Sequence, residues 1–388
     1  MLKNTIVPVP FLKDRKRLLQ LEFIESPVNS SQRRFTDRHL LKPVLDLADY
    51  RCEAVIDWVE LEFHLGRKTQ FRHLKKEIDR VCGRTSYVEP VEAGSGGVSD
   101  VFRVIFQDPH IVDLVRVTDA IGVEFGLISE PRTVGLEVSV DFYSKRASEI
   151  EGLAMVAVLA RHLFPNKDII ERSADHPRFA WGKGKAHSSK VWGRSFEGKR
   201  RWAILEVEAD RTIPVDATFY LGEEGSPAMW RVMNKLLDRQ NPTTGTRTVL
   251  PVEGRRARVE VTLRGEELQR TGTDTLAGLK EVNLTKFQRR YFQFVLPTFI
   301  LPKDPVGVDL FRERRRVLRF LNIGAVGLAA LDAERQRNLR SIDKNLKERG
   351  YQVPPRGRRK ENTTKAYEAL NEKVREALRN LQRRELGR

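Results

Sequence analysis

The chain has 388 residues, of which 40% are apolar, and a formal net charge of +17 at pH 7. This length and apolar content are enough for packed cores and exclude an intrinsically disordered chain. The charge, which gives a pI near 10.0, favours a polyanionic partner, either nucleic acid or an anionic membrane surface.

The first 50 residues are polar and basic, with scattered proline and serine. We interpret residues 1–50 as a basic N-terminal arm that includes a short helix near residues 40–50. A strand is predicted next, because residues 55–64 alternate between two unlike faces. One face comprises Asp57, Val59, Leu61 and Phe63, and the other comprises Trp58, Glu60, Glu62 and His64.

Further strands and helices are predicted as far as residue 305. Residues 136–143 alternate as clearly, with Glu137, Ser139 and Asp141 on the polar face. Helices are predicted over 70–81 and 148–163, and strands over 101–106, 202–208, 218–221 and 258–263. Strands that are polar on one face, with helices between them, are typical of an α+β domain. We therefore predict an antiparallel sheet domain flanked by helices over residues 51–305.

Residues 306–388 are predicted to form a basic all-helical region for DNA binding or dimerisation. Residues 311–388 contain 22 basic and 10 acidic side chains, so most of the excess positive charge lies there. In the predicted helix over 363–385, apolar residues recur at intervals of three and four. They are Tyr367, Leu370, Val374, Ala377 and Leu381. This seam either joins two copies of the chain or packs on the body of the same chain.

We predict no membrane partner, because the sequence has no membrane-spanning segment and no secretory signal. The longest apolar segment, residues 320–331, is about 12 residues long, and a membrane-spanning helix needs roughly 20. The N-terminus lacks the apolar core and cleavage site of a secretory signal. Cys52 and Cys82 belong to no metal or redox motif. We expect a cytoplasmic protein with reduced cysteines.

Carboxylates recur on the less apolar faces of the predicted strands. They are Glu60, Glu62, Glu137, Asp141 and Glu260. Neighbouring strands would bring such residues together, and grouped carboxylates suit Mg²⁺ or Mn²⁺. All except Glu137 are predicted metal ligands. Alternatively, the carboxylates are exposed and pair with Arg258, Arg264 or Lys145. His64 is either a further ligand or a surface residue of an edge strand.

Tyr220 is the tyrosine nearest in sequence to a set of basic and acidic residues. Arg231 and Lys235 follow it, and Glu260 lies on a later strand. A tyrosine hydroxyl can attack a phosphodiester when cations and a metal steady the phosphate and lower the proton affinity of the hydroxyl. We predict that Tyr220, Arg231 and Lys235 are catalytic. The rival nucleophile is Tyr143, and a packing role is the alternative for Tyr220.

Two basic segments are predicted to bind DNA. The first, residues 183–201, combines cations and aromatic rings with glycine and serine, which suits phosphates and stacked bases; a solvated hairpin is the alternative. Its predicted contacts are Lys183, Lys185, Lys190, Trp192, Arg194, Lys199, Arg200 and Arg201. In the C-terminal helices, the predicted phosphate contacts are Arg314, Arg315, Arg316, Arg358, Arg359 and Lys360. Arg258 is also a predicted phosphate ligand.

The segment from 218 to 265 resembles the replication initiation factor family, which includes initiators of rolling-circle plasmids and filamentous phages and related relaxases. The matching residues are Tyr220, Gly222, Ser226, Arg231, Lys235, Arg258 and Glu260. The close similarity covers about 50 residues, and a looser one covers about 55–300. The family has a tyrosine where this chain has Met233. The resemblance thus implies either nicking by Tyr220 or Tyr143, or origin binding without cleavage.

Together, these features predict a replication initiator or relaxase-like protein. It would bind double- and single-stranded DNA and nick one strand through Tyr220 with Mg²⁺ or Mn²⁺, leaving a 5′-phosphotyrosyl link. A host helicase or polymerase and a second copy of the chain are further predicted partners. The alternatives are a DNA-binding regulator or replication accessory factor without catalysis, and an RNA-binding protein.

Overall fold

The computed structural model describes residues 4–11, 14, 16–83, 86–92, 94, 97–165, 177–180, 189–191, 212–222, 225–239, 247–300, 308–353 and 364–387. It is an α+β structure with antiparallel sheets flanked by helices, which confirms the predicted fold class. Within the described ranges, no helix is both long enough and apolar enough to cross a membrane.

The larger sheet has nine antiparallel strands in the described part of the chain. Across the sheet they are β5 (Tyr87–Pro90), β6 (Val98–Gln107), β4 (Tyr50–Gln70), β7 (Arg132–Ser144), β14 (Arg256–Leu263), β11 (Ala228–Lys235), β10 (Thr218–Leu221), β8 (Pro177–Ala180) and β9 (Ser189–Val191). Strands β12 (Leu237–Arg239) and β13 (Arg247–Val249) pair with each other.

One face of this sheet is apolar and packs on helices. Val138, Val259 and Trp230, from three neighbouring strands, are fully buried there. Helix α3 (Glu149–His162) packs against these strands, and it begins where the Ser148 hydroxyl accepts a hydrogen bond from the Glu151 amide at 3.3 Å. Helices α1 (Phe71–Cys82) and α2 (Ile111–Phe125) pack on each other and on β4. Because successive side chains of a strand point to opposite faces, the polar residues of these strands lie together on the other face of the sheet.

The N-terminal residues form a second sheet rather than the predicted arm, and the helix predicted near residues 40–50 is reduced to one 3-10 turn over Leu47–Asp49. The strand order of this sheet is β1 (Asn4–Pro10), β2 (Leu18–Pro27), β3 (Arg38–Pro43), β15 (Val295–Ile300) and β16 (Thr364–Ala366). Val9 and Phe23 are fully buried in its core. Pro8 and Pro10 lie on β1, an edge strand, where the missing amide hydrogens break no interior ladder. The polar and basic composition of residues 1–50 did not indicate these strands.

The C-terminal region contains one strand as well as helices, so the all-helical prediction was wrong in that respect. Short helices α4 (Glu266–Thr271), α5 (Leu276–Glu281) and α6 (Thr285–Arg290) precede β15, and α7 (Val308–Glu348) and α8 (Glu368–Leu386) follow it. Helix α8 packs on β4 and α6, and the predicted seam from Tyr367 to Leu381 is buried there. The seam therefore packs on the same chain.

Helix α7 reverses direction at Gly324, where φ is 82° and ψ is −175°. In one straight helix, Arg316 and Asp332 would be separated by about 24 Å at 1.5 Å per residue. Instead, Arg316 Nη2 and Asp332 Oδ2 are 2.9 Å apart. A Cβ at Gly324 would lie 2.7 Å from Arg161 Cα and 2.9 Å from the Ala160 carbonyl oxygen. Only glycine fits this backbone conformation and this close approach to α3.

Candidate functional site

A row of polar side chains crosses the sheet face opposite its apolar core. Tyr220 on β10 pairs with Arg231 on β11. Arg231 also lies opposite Glu260 on β14, and Glu260 lies opposite Ser139 on β7. Directly opposed residues in antiparallel strands point to the same face with Cβ atoms about 4.5–5.5 Å apart. The fold thus aligns the predicted nucleophile, one predicted phosphate ligand and one predicted metal ligand.

Asp57 joins this face because of a β-bulge. Ile56 pairs with Val138 and Trp58 pairs with Glu137, so Asp57 is an additional residue on β4. Ile56 and Val59 are both buried on the core side, and the Asp57 carboxylate accepts a hydrogen bond from the Ser139 hydroxyl at 2.6 Å. The predicted placement of Asp57 on the face of Val59 was therefore wrong.

Asp57, Glu137 and Glu260 form a close carboxylate group. One carboxylate oxygen from each lies within 4.8 Å of the others. Glu137 and Glu260 are buried, and Asp57 is half-buried. Three negative charges this close repel one another in a site with little water unless cations offset them.

Arg258 supplies one of these offsetting charges. Its Nε and Nη2 donate to Asp141 Oδ1 and Oδ2, each at 2.6 Å, and its Nη1 donates to Asp57 Oδ2 at 2.6 Å. The same Nη1 is 3.4 Å from Glu260 Oε1. Arg256 Nε also lies 3.0 Å from Asp141 Oδ2. The planar guanidinium of Arg258 thus holds Asp57 and Asp141 by hydrogen bonds from three nitrogen atoms, which the single ammonium group of a lysine could not replace.

Arg231 supplies a second charge. Its Nη2 donates to Glu137 Oε2 at 2.7 Å, and the Thr262 hydroxyl donates to the same oxygen. Arg231 Nε lies 2.6 Å from Glu260 Oε2, but neither atom makes a hydrogen bond within the described part of the chain. The contact is therefore a charge pair out of hydrogen-bond alignment. It leaves Glu260 Oε2 as a buried acceptor without a donor.

The environment of Glu260 favours its protonated form. Burial raises the pKa of Glu260 to about 7; Arg231 lowers it, Glu137 and Asp57 raise it, and Arg258 lowers it. Glu260 therefore ionises within the physiological pH range, where a change of ligand or pH would alter its charge.

We expect Glu260→Gln to flatten the dependence of stability on pH. Because the folded pKa of about 7 lies above the ordinary value of 4.5, the stability contribution of Glu260 is fully present below about pH 4.5 and is lost as the pH rises through about 7. Urea unfolding at about pH 5 and about pH 8 should show the parent losing roughly 1–3 kcal/mol more than the variant.

Glu62→Gln is the matched control for this experiment. Glu62 is also buried, which alone would raise its pKa, yet hydrogen bonds from Arg103 and His64 hold its pKa below 4.5. Its contribution is present above about pH 4.5, so its removal should not reproduce the effect. Parallel pH profiles for the parent and Glu260→Gln would contradict the prediction.

The carboxylate group fits a divalent cation. Its donors are all carboxylate oxygens, which Mg²⁺ and Mn²⁺ prefer, and Glu260 Oε2 is a buried oxygen without a hydrogen-bond donor. Asp57, Glu137 and Glu260 would hold the ion. Of the predicted ligands, only Glu260 belongs to this set.

The other predicted metal ligands are paired elsewhere. Glu60 Oε2 lies 2.8 Å from Arg264 Nη1. Glu62 Oε2 accepts from Arg103 Nε at 2.9 Å, and Asp141 is held by Arg258 and Arg256. The pairing part of the alternative therefore describes Glu60 and Asp141, whereas Glu62 pairs with an arginine that was not predicted. All three carboxylates are buried rather than exposed. His64 Nε2 is 3.3 Å from Glu62 Oε1, so it lies with Glu62 and outside the close group.

The two candidate nucleophiles lie on the same face in different surroundings. Tyr220 is half-buried beside Arg231. Tyr143 lies under the Arg51 guanidinium, 4.4 Å from its ring centre. Burial and then Asp141 raise the pKa of Tyr143 to about 12, which disfavours the ionised, nucleophilic form. Met233 is opposite Arg258 on this face.

Lys235 is the remaining predicted catalytic residue. It is half-buried at the end of β11, opposite Arg256. It shares the face of Arg231 because the two are four residues apart on one strand. The structure thus places Lys235 at the margin of the polar face, beyond the close carboxylate group.

Two predicted DNA contacts are contradicted by burial. Arg258 is 2% exposed and Arg316 is 4% exposed. Arg316 also pairs with Asp332 and Glu313. Of its neighbours, Arg314 is exposed and Arg315 is half-buried. Neither buried guanidinium can reach a duplex.

The remaining predicted DNA contacts lie outside the described residues. They are Lys183, Lys185, Trp192, Arg194, Lys199, Arg200, Arg201, Arg358, Arg359 and Lys360. For Lys190, only the backbone, in strand β9, is described.

Asp57 is the functional candidate that the sequence analysis missed. The alternation of residues 55–64 does not reveal the bulge. One extra residue in a strand moves the side chains on one side of it to the opposite face, and the composition of the segment stays the same. Glu137 was recognised among the five carboxylates but left out of the ligand set.

No protein-family model matches the chain, and no curated protein matches it. The resemblance to the replication initiation factor family therefore stays a prediction based on seven matching residues.

Proposed function

We propose that the protein is a metal-dependent DNA nicking and joining enzyme of the initiator or relaxase type, acting in the cytoplasm, with Tyr220 as nucleophile. The observation that carries the proposal is the row from Tyr220 through Arg231 to Glu260, which ends at the Asp57–Glu137–Glu260 carboxylates. This places a hydroxyl, a guanidinium and an oxygen ligand set along one sheet face.

Four residues of the chain would take different roles in the reaction. The Tyr220 hydroxyl gives up its proton to water and its oxygen attacks the scissile phosphorus, forming a 5′-phosphotyrosyl bond, while the bond between phosphorus and the 3′-oxygen breaks and that oxygen takes up a proton from water. Arg231 contacts the phosphate and Lys235 contacts the strand at the margin of the face. Arg258 positions Asp57. When bound, Mg²⁺ or Mn²⁺ would offset and polarise the phosphate charge.

A second candidate function is origin binding without cleavage. It is favoured by Met233 at the position where the resembling family has tyrosine, and by the arginines that already neutralise Asp141 and Glu137. In that case, the polar face is a stabilised charge network and any cleavage is carried out by another protein.

In either case, the proposed partners are double- and single-stranded DNA. After nicking, the free 3′-hydroxyl would serve a host polymerase, and the opened duplex would serve a host helicase. RNA binding is the competing interpretation of the charge. Preference for duplex RNA over duplex DNA of the same sequence, in a direct competition at fixed salt, would contradict the proposal.

Incubation with supercoiled plasmid DNA tests the enzymatic proposal. With Mg²⁺ or Mn²⁺, the protein should convert supercoiled DNA to nicked circles and remain attached to the 5′ end after denaturation in detergent. Chelation by EDTA should stop the conversion. DNA binding with no nicking under either metal would instead favour the second candidate.

A further inference from the structure

A cavity of about 550 Å³ lies at one end of the larger sheet, between that end and helix α8, and Tyr143 of the polar face lines it. Its walls are the start of β4, the end of β7, the 252–254 turn and helix α8. This volume is in the range of cavities that hold small organic ligands. Nothing in the proposed cleavage step uses the cavity.

Its lining combines cations, hydrogen-bond acceptors and an aromatic ring. Lys145 and Lys373 line it, and among the described residues no carboxylate lies within ion-pair distance of either lysine. Glu253, Glu376 and Asn380 line it as well. A ligand that fits this set carries negative charge at one end and hydrogen-bond donors at the other. A nucleotide has both, in its phosphate and in the amino groups of its base.

Tyr143 connects the cavity with the candidate active site. It lines the cavity and lies two residues after Asp141 on the same face of β7. Arg256 Nε, which is 3.0 Å from Asp141 Oδ2, belongs to a guanidinium 5.7 Å from the centre of the Tyr143 ring. Arg256 therefore lies between Asp141 and Tyr143, so a strand that crosses the polar face would reach the cavity over Tyr143.

We propose that this cavity binds one unpaired nucleotide of the DNA strand that crosses the polar face, with Lys145 and Lys373 binding its phosphate. Glu253, Glu376 and Asn380 face the donors of the sugar and base, and Tyr143 offers its ring edge. The proposal rests on DNA being the substrate, but it does not depend on Tyr220 being the nucleophile.

Binding of a short fluorescein-labelled single-stranded oligonucleotide, measured by anisotropy in EDTA, tests the proposal without cleavage. Lys145→Ala and Lys373→Ala should each weaken binding by about tenfold, as expected for a charged hydrogen bond. The slope of log affinity against log salt should fall by about 0.7 in each. Lys68→Ala is the matched control, because Lys68 is an exposed lysine at the far end of β4. It should change neither quantity.

Equal weakening by all three substitutions, or none by the two cavity substitutions, would overturn the proposal. Lys145→Arg and Lys373→Arg should retain binding, which separates lost charge from altered folding. A deoxynucleoside monophosphate should displace the oligonucleotide better than inorganic phosphate does, and equal displacement would contradict a nucleotide site.

The same experiments separate this proposal from the proposed function. Normal nicking by the parent, with unchanged binding in Lys145→Ala and Lys373→Ala, would overturn the cavity site alone. Weakened binding in these variants, with a parent that never nicks, would support the cavity site and overturn the cleavage proposal.

Discussion

Arg258→Met is expected to lower the free energy of unfolding by roughly 3–5 kcal/mol, because it removes the cation of a buried charge network and leaves the carboxylates in place. The guanidinium is the common partner of Asp141 and Asp57 and also approaches Glu260. Without it, these carboxylates would be left buried with too little positive charge. Methionine fills much of the volume, so the loss would reflect charge rather than a cavity.

Arg264→Met is the matched control, one residue beyond the end of the same strand. Arg264 pairs with Glu60 at 2.8 Å, but its side chain is 39% exposed, and exposed pairs contribute at most about 1 kcal/mol. Urea unfolding near neutral pH should therefore separate the two variants by several kcal/mol. Equal losses would show that the Arg258 network does not carry the stability assigned to it.

Tyr220→Phe is expected to abolish nicking, with a fall in rate of more than about 1,000-fold, because it removes the oxygen that we propose attacks phosphorus. The ring and its packing on β10 remain. DNA binding and the urea midpoint should stay close to those of the parent. The measurement is the rate of conversion of supercoiled plasmid to nicked circles, together with the yield of protein linked to the 5′ end.

Tyr143→Phe is the comparison that identifies the nucleophile. It removes the hydroxyl of the rival tyrosine, whose pKa is raised to about 12 by burial and Asp141, and it should leave most of the nicking activity. The opposite pattern, with activity lost only in Tyr143→Phe, would assign the reaction to Tyr143. Full activity in both variants would exclude both tyrosines.

Much of the sheet was predictable, because its strands bury one face and expose the other. Residues 136–143 alternate in sequence, and the structure places Val138 and Val140 in the core with Glu137 and Asp141 opposite. The α+β class followed from repeating this pattern between helices. The N-terminal sheet was not predicted, since its edge strand β1 contains prolines and β15, which pairs with β3, lies more than 250 residues further along the chain.

The composition of the candidate site was less predictable. Alternation identifies faces but not the register between strands, and register decides which carboxylates meet. The bulge at Asp57 adds this residue to the site, whereas Glu60 and Glu62 continue along β4 toward Arg264 and Arg103. The burial of Arg258 was also not predictable, because the sequence does not show whether an arginine is surrounded by its carboxylate partners or exposed to solvent.

The packing of helix α8 on β4 has a consequence for how the chain folds during synthesis. The edge of β4 near Ala54, where the Arg384 guanidinium donates to the backbone carbonyl at 3.2 Å, stays uncovered until helix α8 has left the ribosome. Contacts between such distant segments form late and slow the folding of a domain. A nascent chain stalled before residue 368 would thus present an open strand edge, and completion of the sheet domain would await the synthesis of helix α8.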